Sequence, residues 1–210
     1  MKAERSPYSV HPSVAYVQAI LANLEASSGL SAEGWVRQLK ARGPVGQSRQ
    51  RQWLKAQGLG TNQAALVVGQ SQGGAENTFA HDEEDYLRAA ARYVERQYSG
   101  AKAHLRPLYE VVLAAGLGAG PLAKACPCQT FVPLFHRHVF AQIKPSTSRR
   151  IDLGLALGDP KKVKDTSGRL VETGGFAKKD RITHRLELTR PADVDGTVRR
   201  WLKAAYARDG

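Results

Sequence analysis

One stretch of the sequence, RIDLGL at residues 150–155, alternates polar and apolar side chains as a half-buried β strand does. Ile151, Leu153 and Leu155 fall on one face, and the residues between them fall on the other. This alternation predicts a sheet that buries one face against a core and keeps the other face polar.

Similar runs stand on both sides of this stretch. Residues 131–135 and 139–143 precede it and residues 181–189 follow it, and these runs are short and rich in aromatic and β-branched residues. After Asp195 the apolar residues return at helical spacing, which predicts a closing helix that packs on the sheet. The patterns predict an α+β fold whose C-terminal part is an antiparallel sheet packed with helices.

The first part of the chain has helical patterning. Four short segments within residues 1–72 predict a small four-helix domain. We expect Ser13 and Ser31 to cap the first two helices, and Gly43 to end the second in a left-handed conformation. Residues 73–85 have no apolar period and are interpreted as a linker, so the α+β domain is predicted to span residues 86–210.

The 210 residues carry 31 Lys and Arg against 19 Asp and Glu, a formal charge of +12. The excess lies within residues 1–75 and 121–210, and the segment between them is weakly acidic. Such an excess attracts polyanions, so nucleic acid is the first partner to consider. The alternative is a basic surface that serves solubility alone.

The sequence also bears on the compartment. It contains no run of about 18 apolar residues, and its first residues lack the apolar core of a signal peptide. Its two cysteines, Cys126 and Cys128, stand too close for an unstrained mutual disulfide. We therefore expect a cytoplasmic protein without a membrane partner.

The segment from Leu54 to Val67 is similar to a helix-hairpin-helix pattern, in which two glycines flank an apolar anchor. In that hypothesis the amides of Gly58, Gly60 and Thr61 point at a phosphate, and Lys55 adds charge. The alternative is a plain turn between two helices, in which Gly58 caps the first helix and Thr61 starts the second.

A long polar excursion is the second candidate for nucleic-acid binding. Residues 161–190 contain nine basic side chains, among which we single out Lys161, Lys162, Lys178 and Lys179. Phe176 is the only aromatic residue there, so the segment by itself does not indicate a stacking platform for single strands. A solvated loop is the alternative.

The polar face of the sheet is the alternative site, formed by Arg150, Asp152, Arg185 and Glu187. It predicts either a face that binds a small ligand or a protein, or a metal-dependent phosphodiester hydrolase with Asp152 and Glu187 as ligands. Cross-strand ion pairs explain the same residues without chemistry. We assign no catalytic residue.

Cys126, Cys128, His136 and His138 are residue types that zinc prefers. If residues 136–138 turn a hairpin, Cys128 lies about eight residues away along a strand, about 26 Å at 3.3 Å per residue. We therefore predict neither a metal site nor a cofactor.

Motifs in both halves of the chain follow one another in a recognisable order. They comprise residues 24–29, 31–35, 53–55 and 58–64 in the first half, and 98–102, 105–109, 140–145, 150–155, 183–185 and 201–206 in the second. In this order they resemble a bacterial two-domain family, in which an N-terminal helical domain of unknown function is followed by a C-terminal domain of unknown function that is sometimes labelled a predicted transport protein.

Taken together, these features predict a cytoplasmic binding protein, rather than an enzyme, that associates with DNA or RNA through backbone phosphates.

Overall fold

The structure, a computed structural model, describes residues 6–72 and 82–210. The chain divides into a helical unit, Val10–Tyr86, and a C-terminal unit, Leu87–Gly210 together with the segment before Val10. The predicted N-terminal helical region and C-terminal antiparallel sheet are confirmed. None of the helices in the described ranges combines the length and apolar character that a membrane span needs.

The helical unit contains helices α1 (Ser13–Ser28), α2 (Ala32–Arg42), α3 (Gln47–Ala56) and α4 (Thr61–Ser71). Along each helix the apolar residues recur at helical spacing and so form one face, and these faces pack together in one core. This core comprises Leu24, Trp35, Leu39, Leu54, Leu59, Ala64, Val67 and Val68.

Two of the predicted helix ends differ in the structure. Ser31 caps α2 as predicted, since its side chain accepts a hydrogen bond from the Gly34 amide. The prediction for Ser13 was wrong, because the imidazole Nδ1 of His11 accepts from the Ser13 amide and Ser13 is already helical. Gly43 has an extended backbone (φ −75°), so it does not supply a left-handed stop.

The predicted linker, residues 73–85, is described only at its end. Residues 73–81 lie outside the described residues. Residues 83–85 belong to α5 (Glu83–Gln97), where three acidic side chains in the first turn complement the helix dipole.

The C-terminal unit is built on a six-stranded antiparallel sheet of order β1-β2-β3-β4-β6-β5. Its strands are β1 (Lys124–Ala125), β2 (Val132–Phe135), β3 (Val139–Lys144), β4 (Ile151–Leu155), β5 (Val171–Glu172) and β6 (His184–Leu188). Strands β2, β3, β4 and β6 are the predicted ones. Strands β1 and β5 were not predicted, because they are two residues long and therefore show no alternation.

Helices α6 (Arg106–Leu117) and α7 (Gly196–Arg208) pack on one face of the sheet. Ile151, Leu153 and Leu155 are fully buried under them, as the alternation predicts. A bulge between β2 and β3 adds one residue, Phe140, which also enters this core. The other face keeps the polar side chains of β4 and β6.

Candidate functional site

The helix-hairpin-helix candidate forms a tight turn in the helical unit. Gly58 has a positive φ of 96° and Leu59 is buried, as that pattern requires. However, the Gly58 amide donates to the Lys55 carbonyl at 3.0 Å, and the Gly60 amide donates to Oε1 of Gln63 at 2.8 Å. The amides of Gly58 and Gly60 therefore already donate hydrogen bonds within the turn. Of the three residues predicted to contact a phosphate, only Thr61 lies in the first turn of α4.

The polar sheet face is a network of mutual ion pairs. Asp152 on β4 lies directly opposite Glu187 on β6. The guanidinium of Arg150 bridges them, with Nε 3.0 Å from Asp152 and Nη1 2.7 Å from Glu187, and Nη2 of Arg185 lies 2.9 Å from Glu187. Because arginine stands between the two carboxylates, this geometry favours the cross-strand ion pairs over a shared metal ion.

The cysteines lie in an environment that keeps them protonated. Burial raises the pKa of Cys126 to about 12 and that of Cys128 to about 11. Within residues 6–72 and 82–210, no three His, Cys, Asp or Glu side chains come together as a metal site requires.

A cleft of about 600 Å³ opens at the end of the sheet where β4 ends, β6 begins and α7 ends. We call it the Arg208 cleft. Its basic lining residues are Lys179, Arg181 and Arg208, and its aromatic one is Phe176, which is 48% exposed. Of the predicted lysines, Lys179 lines this cleft, whereas Lys161, Lys162 and Lys178 are exposed on the same excursion outside its lining.

Lys179 occupies a strained backbone position beside the cleft. Its φ of 58° lies in the left-handed region, which is uncommon for a residue other than glycine. The Asp180 amide donates to the Gly175 carbonyl at 2.8 Å, and the Lys179 amide donates to that of Phe176 at 3.1 Å. This pair of bonds is a Schellman motif with lysine at the position that usually holds glycine.

Asp209 organises one wall of the Arg208 cleft. Its side chain is almost fully buried, and Oδ2 accepts hydrogen bonds from the amides of Arg137 and His138 at 3.0 and 2.8 Å. Oδ1 pairs with the guanidinium of Arg181 and with Nδ1 of His138. Arg181 also donates from Nε to the Val139 carbonyl, so its position is held from two sides.

A second cleft of about 280 Å³ lies beside the N-terminal half of α7. We call it the Arg200 cleft. It is lined by Arg200, Trp201 and neighbouring residues of α7 and by residues 164–167 of the excursion, including Lys164. The one acid in its lining, Asp165, accepts hydrogen bonds from the amides of Ser167 and Leu170 at 2.8 Å.

Those hydrogen bonds affect the charge of Asp165. Burial acts to raise its pKa, but the bonds from Ser167 and Leu170 outweigh this effect, so the pKa is lowered. The carboxylate therefore stays ionised, and its hydrogen bonds stabilise the loop in which it lies.

The contribution of α7 to the two clefts was not predicted from the sequence. The apolar stripe of this helix, which includes Trp201, drew attention to its packing on the sheet. The available signal was the exposed series Arg200, Ala204 and Arg208, spaced four residues apart and therefore on one face of the helix.

The family model that matches this chain is described as a domain of unknown function (DUF5655), and it matches residues 94–208. The chain belongs to this family. The DUF5655 region contains the whole lining of the Arg200 cleft and that of the Arg208 cleft except Asp209. Comparison with curated proteins and with solved structures found no match for the chain.

Proposed function

We propose that the C-terminal unit is a non-catalytic module that binds nucleic acid through backbone phosphates, with the Arg208 cleft as its contact. The observation that carries the proposal is the convergence of Lys179 and Arg208 on one concave surface, beside Arg181, whose guanidinium is paired with Asp209. Guanidinium groups donate two parallel hydrogen bonds to a phosphate, and a lysine adds a point charge.

The charge distribution supports an anionic ligand. The two acids of the cleft, Asp180 and Asp209, both have local partners. Asp209 pairs with Arg181 and accepts hydrogen bonds from the amides of residues 137 and 138. Oδ1 of Asp180 accepts a hydrogen bond from the Ile182 amide at 3.1 Å. The exposed lysines of the excursion, Lys161, Lys162 and Lys178, extend the positive field around the cleft.

The alternative, a small ligand or a protein on the face around Arg150 and Asp152, has less support, because the four charged groups there are already paired with one another. Lys55 and Thr61 of the helical unit remain a predicted second phosphate contact. The cytoplasmic location, the two-domain family layout and the transport label are predictions that this proposal does not use.

The test is the binding of a DNA duplex, a single strand and an RNA hairpin at two salt concentrations. Two phosphate contacts, at Lys179 and Arg208, predict that log K falls with log salt with a slope of about −1.4 to −1.8. Arg208→Ala should weaken binding about tenfold, as expected for the loss of a charge-assisted hydrogen bond.

The matched control is Arg149→Ala, which removes an equal charge from an exposed turn away from the cleft. It should change affinity by less than about twofold. An Arg149 variant that loses as much affinity as the Arg208 variant would show that net charge alone is responsible. Absence of binding at low salt would end the proposal.

A further inference from the structure

The two clefts lie along one stripe of α7. Arg200 lines one of them and Arg208 the other, and Ala204, midway between these arginines, lines the Arg200 cleft. All three residues are exposed and four residues apart, so they share a helix face. Eight residues at 1.5 Å each separate the two arginines by about 12 Å along the helix.

Each cleft also combines its cations with an aromatic side chain. Phe176 lines the Arg208 cleft and is half exposed, and Trp201 lines the Arg200 cleft and is partly exposed. Phe176 is the only aromatic residue within residues 161–190, and for this reason the sequence did not indicate a stacking platform. In the fold, Trp201 of α7 lines a cleft together with residues 164–167 of this excursion, so a second aromatic side chain lies beside it.

We infer that the two clefts form one track for single-stranded nucleic acid, with phosphates at Arg200 and Arg208 and unpaired bases on Phe176 and Trp201. This inference rests on the proposed function and specifies its substrate. A stacked strand rises 3.4 Å per nucleotide, so 12 Å corresponds to about three to four nucleotides.

The aromatic residues decide between a single strand and a duplex. In a duplex the base faces are stacked on one another, so an aromatic side chain beside a phosphate contact finds no free base. In a single strand every base offers a face, and each stacked base adds to the affinity. Aromatic residues interleaved with cations therefore select unpaired strands.

The experiment measures fluorescence anisotropy of labelled oligodeoxythymidine and oligouridine of two, four and eight nucleotides and of a 20-base-pair duplex, with the full chain. We expect the eight-nucleotide strands to bind at least tenfold more tightly than the duplex, although the duplex carries more phosphates. Affinity should rise steeply between four and eight nucleotides, because about three to four steps between the two bound phosphates require a strand of at least five nucleotides to reach both arginines.

Three variants localise the effect. Phe176→Ala, at an exposed position, should weaken binding of single strands about tenfold and leave duplex binding unchanged. Arg200→Ala should abolish the gain in affinity between four and eight nucleotides. Arg199→Ala, the adjacent residue, which lies outside both linings, is the matched control and should keep that gain.

The outcomes separate this inference from the proposed function. If single strands and duplexes bind alike, Phe176→Ala changes neither, and Arg208→Ala weakens both, the phosphate contact stands and the track is refuted. Equal effects of the Arg199 and Arg200 variants would also refute it. If no nucleic acid binds at low salt, both proposals fail. Thermal unfolding of each variant confirms that it is folded.

Discussion

The guanidinium of Arg208 lies directly over the backbone of Gly158. A Cβ atom added to Gly158 would clash with the guanidinium of Arg208, and the φ of Gly158 is +77°. The absence of a side chain at Gly158 therefore leaves room for this guanidinium to lie against the backbone.

Gly158→Ala should displace Arg208 and weaken nucleic-acid binding about tenfold, with a loss of stability of about 1 kcal/mol from the left-handed backbone. Gly168→Ala is the control, because Gly168 also has a positive φ (+67°) but meets no atom within 4 Å. It should lose similar stability and keep its affinity. Thermal unfolding and anisotropy measure the two effects, and equal affinities of the two variants would contradict the role of Gly158.

Lys179→Gly should raise stability and lower affinity together. Glycine adopts the left-handed conformation without strain, so we expect a gain of about 1 kcal/mol in the free energy of unfolding. The loss of the ammonium should weaken binding severalfold. Urea unfolding and anisotropy check both changes, with Lys178→Ala as the charge control. A destabilised Lys179→Gly protein would mean that the lysine side chain supports the fold.

Asp209→Asn should destabilise the C-terminal unit by about 3 kcal/mol. The substitution removes the charge of the buried carboxylate that pairs with Arg181, and it replaces one of the two acceptor oxygens by an NH2 donor that faces other N–H groups. It also weakens the bonds to the amides of residues 137 and 138. Urea unfolding measures the loss. A change below about 0.5 kcal/mol would show that this end of α7 contributes little to stability.

The stability of the helical unit should depend on His11. Burial lowers the pKa of His11 to about 4, and its neutral Nδ1 accepts the Ser13 amide at 3.0 Å. An unfolded histidine titrates near 6.5, so between these pH values the unfolded chain binds the additional proton. The contribution of His11 is complete above pH 6.5 and is lost as the pH falls to about 4.

The expected loss is at most about 3 kcal/mol, from 1.36 kcal/mol per pKa unit. Urea unfolding between pH 7 and 4 measures it in a Trp201→Phe background, where the fluorescence comes from Trp35 and Trp53 of the helical unit. His11→Asn should flatten this part of the profile, because asparagine caps the helix without titrating. His104→Asn, at an exposed site of the other unit, should leave it unchanged.

Local patterns predicted those elements that have a period of their own. Ile151, Leu153 and Leu155 alternate, and the apolar residues of α7 recur at helical spacing, so β4 and α7 followed from the sequence. Strands β1 and β5 have two residues each and exist because a neighbouring strand pairs with them. The capping role of His11 was missed because imidazole is an uncommon cap.

The candidate site likewise combines residues that local patterns predicted with residues that they did not. Lys179 was predicted from charge, and the polar face of β4 from alternation. Arg208, Arg200 and Trp201 were not predicted as site residues, because the residues that share their clefts lie about 25 to 52 positions earlier in the chain.

The sequence by itself determined the α+β class, the strands and helices with a regular period, and the excess of positive charge. Only the tertiary structure decided which charges meet. It pairs Arg150 with Asp152 and Glu187, and it brings Lys179, Arg181 and Arg208 to one cleft. The reason is physical: periodicity is set by neighbours within a few residues, whereas a cleft depends on how separate elements pack.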